Sequence, residues 1–324
     1  MSESLDNQIS YHPEFCFGDG SIVLLVEGTV GFKVHKSLLC RHSTFFKDML
    51  GLPLKDSETT RLGQPVVRLP QDNAAGVAGV LKAVYDNRFF DKYLPTVLSS
   101  QGEQQYLGLL SAMMPVARKY DFESVFDGCI EALRRILPIQ FQGMTTRIES
   151  LQLVVDPVKR TANILTALRL ADTFDLFEFF PSLFYQVVGF HTPEEIYDMS
   201  DLSWKDKTRC VMGIAELRVE QGEALRNCFP PTGDCTKLVR TEGGWIRPMC
   251  SQRPSLAAKL KRTKKIVVLD RLEFEKESNV VHCRDCTLRY SSEYEKNQMR
   301  IWNALPKIFH LAKSWEDLLL GRVE

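Results

Sequence analysis

The sequence predicts an α+β protein: a small sheet with packed helices, followed by a mainly helical domain. Three observations carry this. Residues 18–34 hold short β-branched runs separated by a turn signal, "SIVLLVEGTVGFKV". From about residue 104 apolar residues recur at helical spacing almost throughout. One stretch of that helical text is echoed 54 residues later, Ala117, Tyr120, Asp121 and Phe126 falling on Ala171, Phe174, Asp175 and Phe180.

Taken in order, Ile22 to Val26 form one strand, Glu27-Gly28-Thr29 turns the chain, and Phe32 to Val34 return it as a β-hairpin. His35 opens a helix that carries Leu38 and Leu39. Ser43 stands where a second short helix needs a cap, ahead of Phe45, Phe46, Met49 and Leu50. "PVVRLP" is a third strand. Asp72 is expected to cap the next helix, whose face is Val77, Val80, Leu81 and Val84. Gly76 and Gly79 weaken that helix intrinsically, so tertiary packing must hold it.

The two echoed stretches read as helical hairpins, which extend an apolar core by stacking. Between them "MTTRIESLQLVVDPVKR" has mixed polarity and a proline, and reads as a linker. Thr192-Pro193-Glu194-Glu195 is a capping box with proline at the first helical position, and Ser203 starts a further helix. After Phe229 the text turns irregular, and the end returns to aromatic-rich helices.

At 324 residues the chain has room for two domains, and 44% hydrophobic with 25% charged residues is a globular composition. Residues 1–13 are expected as a flexible N-terminus, 14–140 as the first domain, 141–160 as a linker, and 161–324 as a helical domain with a Cys-containing segment. The 41 basic residues balance the 41 acidic ones, so no global field would hold nucleic acid or an anionic membrane. The start lacks a secretory signal and no apolar run spans a bilayer, so an intracellular location, cytoplasmic or nuclear, is expected. Nine scattered cysteines then read as reduced thiols, mostly buried.

"GFKVHKSLLCRHSTFF", residues 31–46, gathers His35, His42, Cys40 and Ser43. A nucleophile with its base would need those side chains to converge, with a third group orienting the base. Cys40 lies on another helical face from His35, Ser43 is wanted as a cap, and no nucleophile elbow, phosphate loop or H-E-x-x-H accompanies them. The reading without special geometry is a strand-to-helix joint in which His35 satisfies backbone groups, and no enzyme is expected.

The same residues resemble the BTB/POZ domain: Asp19 before the strand Ile22 to Val26, then "F-x-V-H-K" (Phe32, Val34, His35, Lys36), "L-L-x-x-x-S" (Leu38, Leu39, Ser43) and "F-F-x-x-M-L" (Phe45 to Leu50). The resemblance runs over roughly residues 14–137, and the rest looks like the fungal BTB proteins with a helical C-terminal region. It implies a BTB/POZ-like small sheet with packed helices and an interaction module, commonly a dimer through the first helices and the N-terminal strand. It also implies a central pocket lined by residues like Asp19 and Lys36. The insertion "DNRFFDKYLPTVLSSQGEQQY" departs from the family, and Leu54-Lys55-Asp56 matches its cullin-binding element only loosely.

The helix with Phe45, Phe46, Met49 and Leu50 is more apolar than one face on a small sheet requires, so Phe45, Phe46 and Met49 are expected in or near an association surface, unless later helices of the same domain cover it. Cys283-Arg-Asp-Cys286 has the spacing of half a zinc site, for which Cys228, Cys235 and Cys250 are candidate partners; the alternative is ordinary reduced cysteines, with no cofactor. "KLKRTKK", residues 259–265, reads as a solvated basic face rather than an import signal. The sequence therefore predicts a protein-binding scaffold or adaptor, a homodimer or BTB heterodimer that contacts neither nucleic acid nor membrane directly. The alternatives are a substrate adaptor of a cullin-type ubiquitin ligase and a transcriptional regulator acting through partners.

Overall fold

The computed structural model describes residues 9–52, 63–93, 100–153, 156–228, 239–241, 244–246, 269 and 284–321. The chain divides into two compact units, residues 1–136 and 137–324.

Unit 1 is built on a four-stranded sheet of order β1-β3-β2-β4. The strands are β1 (Ser10–Cys16), β2 (Ile22–Val26), β3 (Val30–Val34) and β4 (Val66–Leu69). β2 runs antiparallel to β3 and parallel to β4, and β1 lies parallel to β3 across an irregular register. β2 sits between two neighbours, and all five of its side chains are buried, which is what "IVLLV" without alternation requires of a central strand. The hairpin turns through positive φ at both Glu27 and Gly28, as the sequence expected. β1 begins at Ser10, inside the stretch expected to be flexible: pairing with β3 and the packing of Ile9 on Val23, Leu25 and Val66 fix it.

The helices of unit 1 are α1 (Lys36–His42), α2 (Thr44–Gly51), α3 (Ala74–Tyr85), α4 (Phe89–Tyr93), α5 (Ser100–Lys119) and α6 (Glu123–Ile136). Ser43 caps α2 by accepting from the Phe46 N–H at 2.9 Å. The α3 cap is Asn73, which accepts from the Gly76 N–H at 2.6 Å. Asp72, expected there, is instead bound by Lys119 Nζ at 2.8 Å and by the Tyr120 hydroxyl at the end of α5. Gly76 and Gly79 let α3 lie directly on α5: a Cβ on Gly76 would stand 2.2 Å from the Ala112 carbonyl oxygen, and one on Gly79 2.4 Å from Met113 Cγ. The described start of the insertion after α3, residues 86–93, belongs to the fold. Its Phe90 packs on Gly128 of α6, and Arg135 binds Asp91 at 2.8 Å.

Unit 2 contains α7 (Phe141–Leu153), α8 (Pro157–Thr173), a 3-10 turn (Phe177–Phe179), α9 (Phe180–Phe190), α10 (Pro193–Asp198), α11 (Trp204–Cys228), α12 (Arg284–Ile308) and α13 (Trp315–Leu319). Residues 141–160 are therefore not a linker. Phe141, Met144 and Ile148 of α7 are buried, and the proline that suggested a break is Pro157 at the first turn of α8, capped by Asp156. α9 is the centre, with every residue from Phe180 to Val188 buried. Phe309 reaches it from the end of α12, 5.6 Å from Phe184 between ring centroids. The Thr192 capping box forms, and Ser203 caps α11 through the Asp206 N–H at 3.1 Å. Within the segment expected to be irregular, β5 (Val239–Thr241) and β6 (Gly244–Ile246) form a two-stranded antiparallel ribbon.

The echoed hairpins fall one in each unit, as α5-α6 and α8-α9. Both first helices end identically: Asp121 and Asp175 take the left-handed conformation, and the next N–H bonds back to Ala117 O (2.9 Å) and Ala171 O (2.8 Å). α12 ends the same way through His310, with the Leu311 N–H on Pro306 O at 2.8 Å.

Candidate protein-interaction site

The joint between β3 and α1 settles what His35 does. Nε2 faces Asp19 Oδ1 at 3.2 Å and Nδ1 faces the Tyr85 hydroxyl at 2.8 Å. The carboxylate accepts only, so the network assigns the proton to Nε2, and Nδ1 accepts from the Tyr85 O–H. The Tyr85 oxygen in turn accepts the His35 backbone N–H at 3.1 Å. The His35 bond, and then Asp19's own backbone, hold the Asp19 carboxyl below the usual carboxylate range; burial pushes the Tyr85 phenol upward. Phe17 stacks on Tyr85 at 4.9 Å.

A carboxylate, an imidazole and a hydroxyl in a row have the connectivity of a hydrolytic triad, but not its chemistry. The hydroxyl is a packed phenol whose proton and oxygen are both engaged, and the nearby candidates are engaged too. Ser43 Oγ accepts from the Phe46 N–H and donates to Tyr120 O at 2.6 Å; Cys40 Sγ points at Phe46 O at 3.7 Å. The array ties the sheet edge to the first turn of α1 and to the end of α3.

The joint sets the pose of α2. Lys36 donates its backbone N–H to Ser21 Oγ (3.0 Å) and its ammonium to Leu50 O (2.9 Å), closing the C-terminus of α2. Asp19 and Lys36 thus each serve an element of their own chain, and both are exposed. Adjacent residues on a helix differ by about 100° in direction, so Phe45 and Phe46 part company. Phe46 is 1% exposed and packs on Phe122 and Tyr120, beneath the surface where it was expected with its neighbours. Phe45 is 38% exposed, edge-on to Tyr120 at 5.2 Å. Met49 is half-buried, and Leu52, the residue that closes α2, is 67% exposed. Phe45, Met49 and Leu52 follow each other at i, i+4 and i+7 and so share one face. Leu52 was missed from the sequence, although its spacing from Phe45 signals it.

Among the described residues Phe45 and Leu52 are the exposed large hydrophobics of unit 1. Leu54, Lys55 and Asp56 lie outside the described residues, as do Cys283, Cys235, Cys250 and the basic run 259–265. Cys286 is buried on α12 and Cys228 on α11, where burial pushes the Cys228 thiol up to about 12. Among the described residues no three His, Cys, Asp or Glu side chains gather as a metal site, and no helix is long and apolar enough to cross a membrane.

Residues 19–137 match the BTB/POZ domain family. The match spans the hairpin, the His35 joint, α2 and the last helix of unit 1. No curated protein matches the chain significantly.

Proposed function

We propose that this chain, which carries a BTB/POZ domain over residues 19–137, is a scaffold or adaptor that self-associates through that domain, as a homodimer or with a related BTB chain. BTB/POZ domains are protein-interaction modules, and no catalytic family is matched. The observation that carries the proposal is the outward face of α2. Phe45, Met49 and Leu52 leave apolar surface in water, Phe45 and Leu52 being the exposed large hydrophobics among the described residues of the unit, and the joint fixes the helix that bears them. In this reading Phe45 and Met49 are the anchors, Phe46 braces them from below, and Asp19 and Lys36 line a pocket at the centre of the pair, as the resemblance implies. A stable interface needs about 800 Å² per partner, so α2 supplies its centre and neighbouring elements of unit 1 the remainder.

Sedimentation of the full chain tests this. The wild type is expected near twice its 37.0 kDa mass at micromolar concentration, and Phe45→Asp weakens the association at least tenfold while leaving the circular dichroism unchanged. A wild type that remains monomeric at high micromolar concentration overturns the proposal.

A further inference from the structure

The second unit carries an apolar face of its own, on the side of α11 that points away from the core. At about 100° per residue, the buried positions Cys210, Ile214, Leu217, Gln221 and Ala224 form one stripe. The opposite stripe would ordinarily be charged. Here it reads Trp204, Thr208, Val211, Met212, Ala215 and Val219, all exposed, with Trp204 at 66% and Val219 at 62%. It spans 16 residues, about 22 Å of helix. At its N-terminal end Tyr197, 60% exposed, meets Trp204 edge-on at 5.4 Å. Lys207 holds the two rings by donating to Tyr197 O at 2.7 Å while its ammonium lies 5.2 Å from the Trp204 ring centroid.

We infer that this face pairs with the same face of a second copy, antiparallel, about a two-fold axis passing between Val211 and Met212. Side-chain size is the first reason. An axis there sets Val211 opposite Met212 at the crossing, Thr208 opposite Ala215 about one turn to either side and Trp204 opposite Val219 at the ends, so small residues face small ones and each indole faces a smaller aliphatic side chain. An isologous contact requires this self-complementarity.

Charge is the second reason. From Trp204 to Val211 the helix carries Lys205, Lys207 and Arg209 against Asp206, while from Glu220 onward it carries Glu220, Glu223 and Arg226. In the antiparallel pair, exposed Lys205 lies at the height of residue 218 of the other copy, between Glu216 and Glu220 on the same flank. A parallel pair would place basic end on basic end and align both helix dipoles unfavourably. On the other flank Lys207, which donates to the neutral Tyr197 carbonyl and keeps its charge, comes within two residues' height of Arg218 of the other copy, a like-charge contact that subtracts from the gain at Lys205. Glu216 and Glu220 are turned towards His310 (3.4 Å) and Arg300 (2.6 Å), which tempers the attraction without reversing it. A helix face of this length buries roughly 400 Å² per copy, half of a standard interface, so the pairing is weak, with a dissociation constant on the order of tens of micromolar. Joined to a separate self-association in the first unit, it would link dimers into longer assemblies.

The two surfaces are separable by experiment. In full-length Phe45→Asp, which lacks the association proposed for α2, sedimentation is expected still to show a monomer–dimer equilibrium. Adding Val219→Glu, an exposed position that leaves the fold intact, weakens it at least tenfold. Adding Lys205→Glu instead weakens it a few-fold at low salt and not at 0.5 M salt, to order of magnitude the screening of an exposed pair. Relative to the unsubstituted chain, Val211→Cys beside the axis gains a disulfide cross-link to its own copy and Arg226→Cys gains none. The inference is overturned if full-length Phe45→Asp stays monomeric to high micromolar concentration, if Val219→Glu leaves its association unchanged, or if the two cysteine variants cross-link equally.

Discussion

Replacing Gly76 by alanine tests how the first unit is held together. In a helix this change ordinarily stabilises by up to about 1 kcal/mol, because alanine restricts the unfolded backbone. Here the new Cβ would meet the Ala112 carbonyl oxygen at 2.2 Å and Val116 Cγ2 at 3.0 Å. Ordinary contact begins near 3.2–3.4 Å, so α3 and α5 must part by about 1 Å at that point. A main-chain carbonyl cannot rotate away as a side chain can, which places the cost at the upper end of the overpacking range, about 3 kcal/mol. The net is a loss of about 2 kcal/mol, roughly 6–10 °C in Tm for a unit of this size. Gly108 is the control. It lies on α5, is exposed, and its Cβ would meet nothing within 4 Å, so Gly108→Ala is expected to stabilise by about 0.5–1 kcal/mol. All four tryptophans, Trp204, Trp245, Trp302 and Trp315, lie beyond residue 136. In urea unfolding of the full chain, Gly76→Ala should therefore advance the far-ultraviolet circular dichroism transition, while tryptophan fluorescence reports on unit 2. A Gly76→Ala chain as stable as wild type, or a Gly108→Ala chain equally destabilised, refutes the close-approach argument.

Three further outcomes are expected. Tyr85→Phe leaves the His35 backbone N–H and Nδ1 without their shared partner and should cost about 1–3 kcal/mol, read as a lower urea midpoint by circular dichroism. The Asp19 carboxyl is held low in the folded chain, so the unfolded chain binds its proton first: its contribution is present above the unfolded pKa of about 4 and is lost as pH falls through the folded value. Wild type should lose stability more steeply than Asp19→Asn between about pH 5 and pH 3 in acid titrations followed by circular dichroism, and equal slopes would remove Asp19 from that account. Among the thiols, Cys16 is exposed whereas burial pushes Cys129 up to about 12. Cys16→Ser should remove one fast-reacting thiol from a native colorimetric titration and Cys129→Ser none.

The elements that the sequence expressed locally are those that formed as read. The hairpin needed only Glu27-Gly28 between two β-branched runs, the α2 cap only Ser43 three residues before Phe46, and the α10 start only Thr192 and Glu195. The echo reached the backbone itself, since Asp121 and Asp175 adopt the same left-handed helix end. Its third instance at His310 escaped notice because backbone bonds define that ending and the side chains around it differ. The mistaken linker had a local cause: a proline read as a break stands where prolines start helices.

What remained undecided turned on partners remote in the chain. Asp72 and Asn73 are both competent caps, and the choice fell to Asn73 because Lys119 and Tyr120, 47 and 48 residues away, engage Asp72. Phe45 and Phe46 are alike in composition, and Tyr120 and Phe122 decide which of them is core. His35 was read as part of a strand-to-helix joint, but its partner in that joint, the hydroxyl of Tyr85 50 residues on, came only from the fold.

By itself the sequence determined the hairpin, the helix starts at Ser43, Thr192 and Ser203 and the apolar surplus of α2, because hydrogen-bonded turns and side-chain periodicity are properties of a few consecutive residues. Tertiary structure alone decided which polar atoms are satisfied and which apolar faces stay in water, since burial is set by whatever distant segment arrives on top.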